Sequence, residues 1–169
     1  MTANVDRIRT LLVQRGMELL RQPFVPVRFT GNADADALLN DLDHHPHAFV
    51  LGCLMDRQDR IERCWRVPYE FGQRVGSFKM KVWTGLTEAE VSSIFRRRPA
   101  LHRRVDLMPG VFHAGLQRIV LGYGGDACRI WRGTPSSAAL VRRFLEFDGV
   151  GPKIATMAAN ILVREMKVH

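Results

Sequence analysis

The residues best suited to chemistry lie in Phe147-Asp148-Gly149-Val150-Gly151-Pro152-Lys153-Ile154-Ala155, where two glycines bracket one apolar residue and a proline and a lysine follow. Glycine tolerates positive φ, so Gly149 and Gly151 are both expected to serve a tight reversal. Pro152 suits a first helical position, where its missing N–H costs nothing. The stretch therefore reads as helix, two-glycine hairpin, helix. Such a hairpin aims consecutive backbone N–H groups, around Gly149, Val150 and Gly151, and a helix N-terminus at one point. An anion is favoured there, and a DNA phosphate is one candidate. An ordinary helix–helix turn uses the same residue types, so the flanking segments have to carry part of the reading.

Those flanks are helical. From Ser136 to Phe147 the apolar residues Leu140, Val141, Phe144, Leu145 and Phe147 form a stripe, with Arg142 and Arg143 on the other side. Thr134-Pro135 supplies a candidate N-cap and first-turn proline. After the hairpin, Ile154, Ala155, Met157, Ala158, Ile161, Leu162 and Met166 make an apolar face. Lys153, Thr156, Asn160 and Arg164 make a polar stripe at helical spacing. Lys153 is thus expected at the start of a helix, beside the hairpin and facing away from the core.

Other reactive residue types form no site. Cys53, Cys64 and Cys128 are odd in number and far apart, which fits buried free thiols better than a zinc or iron–sulfur spacing. His44, His45 and His47 surround Pro46 without an acidic or thiol partner at a defined offset. They read as a polar inter-helix loop, and neither a metal nor any other cofactor is expected. The clusters Arg96-Arg97-Arg98 and Arg103-Arg104 read as solvated faces and are placed outside the site.

The elements that must position these residues are helices. Apolar positions from Val5 to Leu20 predict a first helix, ended by Gln22-Pro23, and Phe24 to Gly31 reads as an extended connector. Asn32 can cap a helix to about Asp43. Pro46 can open another, apolar nearly all round from Phe49 to Met55 and therefore buried on several sides. A short helix over Ile61 to Arg66 is expected to break before Pro68, and Thr87-Glu88-Ala89-Glu90 is a capping box opening a helix to about Phe95. Leu107-Met108-Pro109-Gly110 reads as a break, Phe112 to Val120 as a helix, and Gly122 to Gly125 as a turn. Alternating strand patterns are nearly absent, so the fold class is all-α. Residues 1–31 read as the first helix and connector, and residues 32–169 as one helical domain.

Charge narrows the partners. The 169 residues carry 25 Lys+Arg against 17 Asp+Glu, a net +8, and the cations are mostly arginine, the better phosphate fork. That field suits nucleic acid, and also anionic membranes or an acidic protein. No run approaches the ~20 apolar residues of a membrane span, and no signal-peptide pattern opens the chain, so a cytoplasmic protein is expected.

Two segments carry a resemblance to a known family. Phe147 to Ala155 is very like the hairpin of the helix–hairpin–helix DNA glycosylase superfamily, which includes endonuclease III. Leu51-Gly52-Cys53-Leu54-Met55-Asp56-Arg57-Gln58 is similar to the end of the buried helix that presents a glutamine toward DNA in that family. The resemblance spans roughly Leu38 to Val168. It implies a helical bundle with a helix–hairpin–helix motif near the C-terminus, acting in base-excision repair on double-stranded DNA with a damaged base or an abasic site. Enzymes of this kind turn a damaged nucleotide out of the stack and cut its glycosidic bond. Lys153 occupies the position of the lysine whose amine attacks the sugar C1′ in bifunctional glycosylase/abasic-site lyases. Such a lysine must react as the free amine, a state favoured by desolvation, nearby positive charge or a helix N-terminus. A lysine at a helix start also suits a plain phosphate contact. Gln58 would fill the gap left by a flipped nucleotide and bond the orphaned base. It also suits a solvated helix end.

One departure bears on catalysis. The family places an aspartate beyond the hairpin's second helix, and Arg164 to His169 do not match that motif. Three expectations cover the difference: the chain is a piece lacking that segment, it has lost the carboxylate, or another chain supplies it. In each case this chain alone is expected to excise damaged bases poorly. The apolar face of Ile154, Met157, Ile161 and Leu162 is expected to need cover from the first helix, a second copy or a missing C-terminal segment. Beside the enzyme reading stand a noncatalytic double-strand DNA-binding module using the same hairpin, and a helical domain that binds an acidic protein.

Overall fold

In the computed structural model, which describes residues 2–168, the chain is all-α, with no strand among the described residues. The elements are α1 (Thr2–Arg21), α2 (Ala33–Asn40), α3 (Pro46–Met55), α4 (Ile61–Val75), α5 (Met80–Trp83), α6 (Glu88–Arg96), α7 (Met108–Tyr123), a 3-10 turn (Ala127–Ile130), α8 (Ser137–Leu145), α9 (Pro152–Asn160) and a closing π-helical turn (Ile161–Glu165). No described helix is long and apolar enough to cross a membrane. The side chain of Leu20 and residue His169 lie outside what is described.

The helix starts have local causes. The Asn32 side chain accepts a hydrogen bond from the Ala35 N–H and caps α2. Thr87 and Glu90 form the reciprocal capping box of α6. Pro152 stands in the first turn of α9. At α8 the cap is Ser136, whose side chain accepts from the Ala139 N–H, and not Thr134-Pro135. Thr134 instead has φ 50 and belongs to the preceding turn.

α3 is the hub. Every residue from Pro46 to Met55 is buried, and the helix packs against α2, α4, α7, α9 and the 3-10 turn. Its apolar circumference is the reason: with no charged side chain, burial on all sides is the favourable placement. Close approach needs small residues at the crossings. A Cβ at Gly52 would lie 2.8 Å from the Trp65 ring of α4, and one at Gly115 of α7 would overlap Leu54. Within the same core an aromatic group joins α4, α5, α6 and α7, where the Phe112 ring lies tilted at 4.6 Å from Phe71 and edge-on at 5.3 Å from Phe95.

Several expected boundaries move, each for a packing reason. α4 does not break before Pro68 but runs through it to Val75. Proline inside a helix forfeits one backbone hydrogen bond and costs about 3 kcal/mol. Trp65, Val67, Pro68 and Phe71 bury a common apolar face, and each large side chain returns about 1.5–3 kcal/mol. Leu107 to Gly110 are not an interruption but the start of α7, with Leu107 at the N-cap and Pro109 in the first turn. His47 does not sit in a polar loop. It lies in the first turn of α3, 3% exposed, with Nε2 donating to the Phe78 carbonyl at 3.0 Å and its ring edge-on to Trp83. His44 alone of the three is exposed, bonded to Asp41. Cys53, Cys64 and Cys128 are free and buried, and no metal-holding group of side chains occurs among the described residues.

The expected uncovered face of α9 is also corrected. Ile154 and Leu162 are buried within the chain itself, and Met157 and Ile161 are half-buried against the same core, where α9 packs on α8 and α3. Exposed apolar surface lies on α1 instead, at Val5, Ile8, Leu11, Leu12, Val13 and Met17. α1 is tied to the other end of the chain by Lys167, whose Nζ donates to the Leu19 carbonyl at 2.9 Å. The connector after α1 is held by side chains of α2. The Asn40 amide bonds both the N–H and carbonyl of Val27, and Asp36 Oδ1 accepts from the N–H groups of Phe29 and Thr30.

His47 provides a test of this core. Burial lowers its imidazole from 6.5 to about 4, although the bond to Phe78 acts in the opposite direction. The folded chain therefore holds it neutral while the unfolded chain takes up a proton below 6.5. Its contribution to stability should be complete above about pH 6.5 and be lost progressively as pH falls toward about 4, amounting to on the order of 3 kcal/mol. Denaturant unfolding at a series of pH values should show His47→Gln losing markedly less stability over this window than the parent chain.

Candidate functional site

The N-terminus of α9 faces the loop that leaves α3. That loop, 56–60, follows a helix with every side chain buried, so its polar residues emerge at one point on the surface. Asp56, Gln58 and Lys153 line one cleft of about 370 Å³, with Arg104 from the segment before α7 and Ile154 and Met108 as its apolar floor. Gln58 and Arg104 also border a wider cleft of about 760 Å³, with Asp59, Arg60 and Arg103. Arg103 in turn borders a third, with Arg63, Arg96 and Arg98. A continuous basic tract thus runs from Arg96 to Lys153. The arginine clusters set aside as solvated faces are part of it.

Gln58 is exposed and adopts φ 49, an uncommon backbone for a non-glycine residue. Its Oε1 accepts from Arg104 Nη1 at 2.6 Å, which links the loop to the approach of α7. Asp59 holds the same two segments together below. Its Oδ2 accepts from the Arg103 N–H and its Oδ1 from the Arg60 N–H, both at 2.8 Å, and Arg63 pairs with it at 3.5 Å. Burial acts to raise the Asp59 carboxyl, but these backbone bonds outweigh it and hold the group below its ordinary value.

His102 is fully buried beneath the loop. Its Nδ1 accepts from the Arg104 N–H at 2.9 Å, so the ring proton is on Nε2, which lies 3.6 Å from Cys64 Sγ. Burial lowers its pKa and keeps it neutral, as that hydrogen bond requires. The tether of the Arg104 side chain to the loop could not have been read from sequence, because Gln58 lies 46 residues away.

On the other side, the turn 146–151 joins α8 to α9. Gly149 has φ 76, as expected, and a Cβ there would overlap the Arg57 guanidinium. Arg57 therefore clasps the turn, and its Nε and Nη2 are buried without a hydrogen-bond partner. Gly151 departs from expectation: its φ of −94 and ψ of 174 are ordinary extended backbone, and a Cβ there meets nothing within 4 Å. Val150 departs as well. Its N–H is bound to the Phe147 carbonyl at 3.0 Å, and its side chain is buried. The donors available at this end are instead those that open α9, since the first bond into the helix runs from Ala155 N to Gly151 O at 3.1 Å.

Lys153 is exposed, the second residue of α9, and shares its cleft with Asp56. Asp56 is half-buried. Burial raises its carboxyl above the ordinary value, while the charge of Lys153 draws it back. Asp56 and Arg57 line this site without having been assigned a role from sequence, and Arg104, expected on a solvated face outside the site, lines it as well. The nearness of Lys153 to the 56–58 loop was not legible without the fold, since about a hundred residues separate them.

The chain matches no protein-family model, no curated protein and no solved structure.

The geometry of the turn predicts an asymmetry between the two glycines. Gly149→Val should destabilise the chain by about 2 kcal/mol or more, combining left-handed strain with displacement of the Arg57 guanidinium. Gly151→Ala should change stability by less than about 0.5 kcal/mol. Thermal and denaturant unfolding of the two variants would show it.

Proposed function

We propose that the chain acts on double-stranded DNA in base-excision repair, with Lys153 forming a Schiff base at the C1′ of an abasic site, as in glycosylases with associated lyase activity. The observation that carries this reading is the placement of a lysine at a helix N-terminus, in a cleft bordered by Gln58 and Arg104, at one end of a basic tract. Each part has a physical role on such a substrate. The tract neutralises successive phosphates, and arginine forks grip them in two directions. The N–H groups that open α9 supply a further anion contact. A Gln58 amide held by Arg104 is a pre-oriented donor and acceptor for a base whose partner has left the stack. The helix–hairpin–helix resemblance in Phe147 to Ala155 supports the same reading. So do the observed glycine turn at Gly149 and the proline start of α9.

A second reading is favoured by the exposure of Lys153. A lysine open to water at a helix start is well placed to meet a phosphate without reacting, as in a noncatalytic double-strand DNA-binding module.

Two experiments address these readings. Affinity for a duplex of arbitrary sequence should fall steeply with salt. For four neutralised phosphates the slope of log K against log salt is about −3.6. A flat response between 50 and 200 mM would exclude the nucleic-acid reading. Borohydride should then cross-link the chain to a duplex carrying an abasic site. Lys153→Gln should abolish the cross-link and change duplex affinity by less than about threefold, because the turn and the arginines of the tract are untouched and at most one phosphate contact is lost. A cross-link of unchanged yield in that variant would assign the chemistry elsewhere, and no cross-link in the parent chain would favour the module.

A further inference from the structure

We infer that Asp56 is the proton-transfer group that works with Lys153, supplied by the loop after α3 and not by a segment beyond α9. This inference rests on the Schiff-base reading of Lys153.

Three features support it. First, Asp56 is the one acidic side chain lining the Lys153 cleft among the described residues. Second, its carboxylate accepts no hydrogen bond from another described residue. Asp41, Asp59 and Glu146 are each held by hydrogen bonds, whereas Asp56 is subject to burial and to the charge of Lys153. Third, it is placed by an element buried along its whole length. It is the residue immediately after a wholly buried helix, and its own N–H is fastened to the Cys53 carbonyl. The ionisable groups around it do not compete for the role. Cys53 of α3 and Cys64 of α4 lie behind it, and burial keeps both thiols protonated, that of Cys64 pushed up to about 11. Arg57 and Arg104, on the cleft wall, carry fixed positive charge.

The chemistry balances with water alone. The Lys153 ammonium passes one proton to the Asp56 carboxylate. The freed amine lone pair forms the C–N bond to the aldehyde C1′ of the ring-opened sugar, and an N–H proton moves to the oxygen to give the carbinolamine. Asp56, now the acid, returns its proton to that hydroxyl, which leaves as water and produces the iminium. The regenerated carboxylate next accepts the C2′ proton. The C–H electron pair forms the double bond that expels the 3′ phosphate, and hydrolysis of the iminium releases Lys153. A half-buried carboxylate with a raised pKa suits both directions of transfer, because its acid and base forms are closer in energy near neutral pH.

The test uses the full chain and a duplex with a single abasic site, followed under single-turnover conditions. Asp56→Asn should lower the strand-cleavage rate about 100-fold, within the range for loss of a positioned acid–base group, with duplex affinity unchanged within about twofold. Asp56→Ala should be equally slow, and added formate should restore its activity in proportion to concentration, while doing nothing for Lys153→Gln. A purely structural aspartate would not respond to formate. Parent-like cleavage by both Asp56 variants overturns the inference and leaves the Lys153 reading intact. Slow Asp56→Ala that no concentration of formate rescues also overturns it, whether the variant is folded or not. Failure of borohydride to trap the parent chain removes the Schiff-base reading, and this inference with it.

Discussion

The structure depends on the complete burial of α3. Ten consecutive residues without a charged side chain are removed from water, and each large apolar side chain among them stabilises the fold by about 1.5–3 kcal/mol. A helix buried on all sides has no freedom to slide or rotate, because each shift would open voids against α2, α4, α7 and α9 at once. The consequence is local as well as global. The chain must leave α3 at a fixed point and in a fixed direction, and the first residues out are Asp56, Arg57 and Gln58. Polar groups delivered this way are more exactly placed than those on a free loop.

The other half of the site is held to α3 in two ways. α9 buries Ile154, Ala155 and Ala158, and packs on α8 and α3. The turn before it is gripped by the Arg57 guanidinium, which fits only because Gly149 has no side chain. The approach to α7 is held by a separate set of bonds: Asp59 to the Arg103 N–H, His102 to the Arg104 N–H, and Gln58 to the Arg104 side chain. Three segments distant in sequence are thereby fixed around one cleft. Polar groups perform this work at the surface, and apolar packing performs it beneath.

The electrostatics of the cleft follow from the same arrangement. Arginines from the loop and from the segment before α7 meet along one tract, and the Asp56 carboxylate shares the adjoining cleft with Arg104 and Lys153. Its half-burial separates Asp56 from the exposed acids of the surface, whose charges are screened by solvent. An anionic polymer is drawn to the tract as a whole, whereas Asp56 and Lys153 act only on what reaches the cleft. Binding and chemistry can therefore be disturbed separately.

The sequence by itself determined the helical class, because apolar residues recur at helical spacing and alternating patterns are nearly absent. It also determined the starts of α2, α6 and α9, because Asn32, Thr87 with Glu90, and Pro152 act on backbone groups within a few residues. The burial of α3 was legible in its uncharged circumference, and the left-handed turn at Gly149 in its residue type. The tertiary structure decided what depends on distant partners. It carried α4 through Pro68, because a buried face outweighed one lost hydrogen bond. It placed His47 in the core against Phe78 and Trp83, left Gly151 in ordinary extended backbone, and bound the Val150 N–H within the turn. It covered the apolar face of α9 with α3 and α8, and left α1 exposed. It brought Arg104 and Asp56 to Lys153, which no periodicity could indicate, because side chains about fifty and a hundred residues away meet it only after the helices have packed.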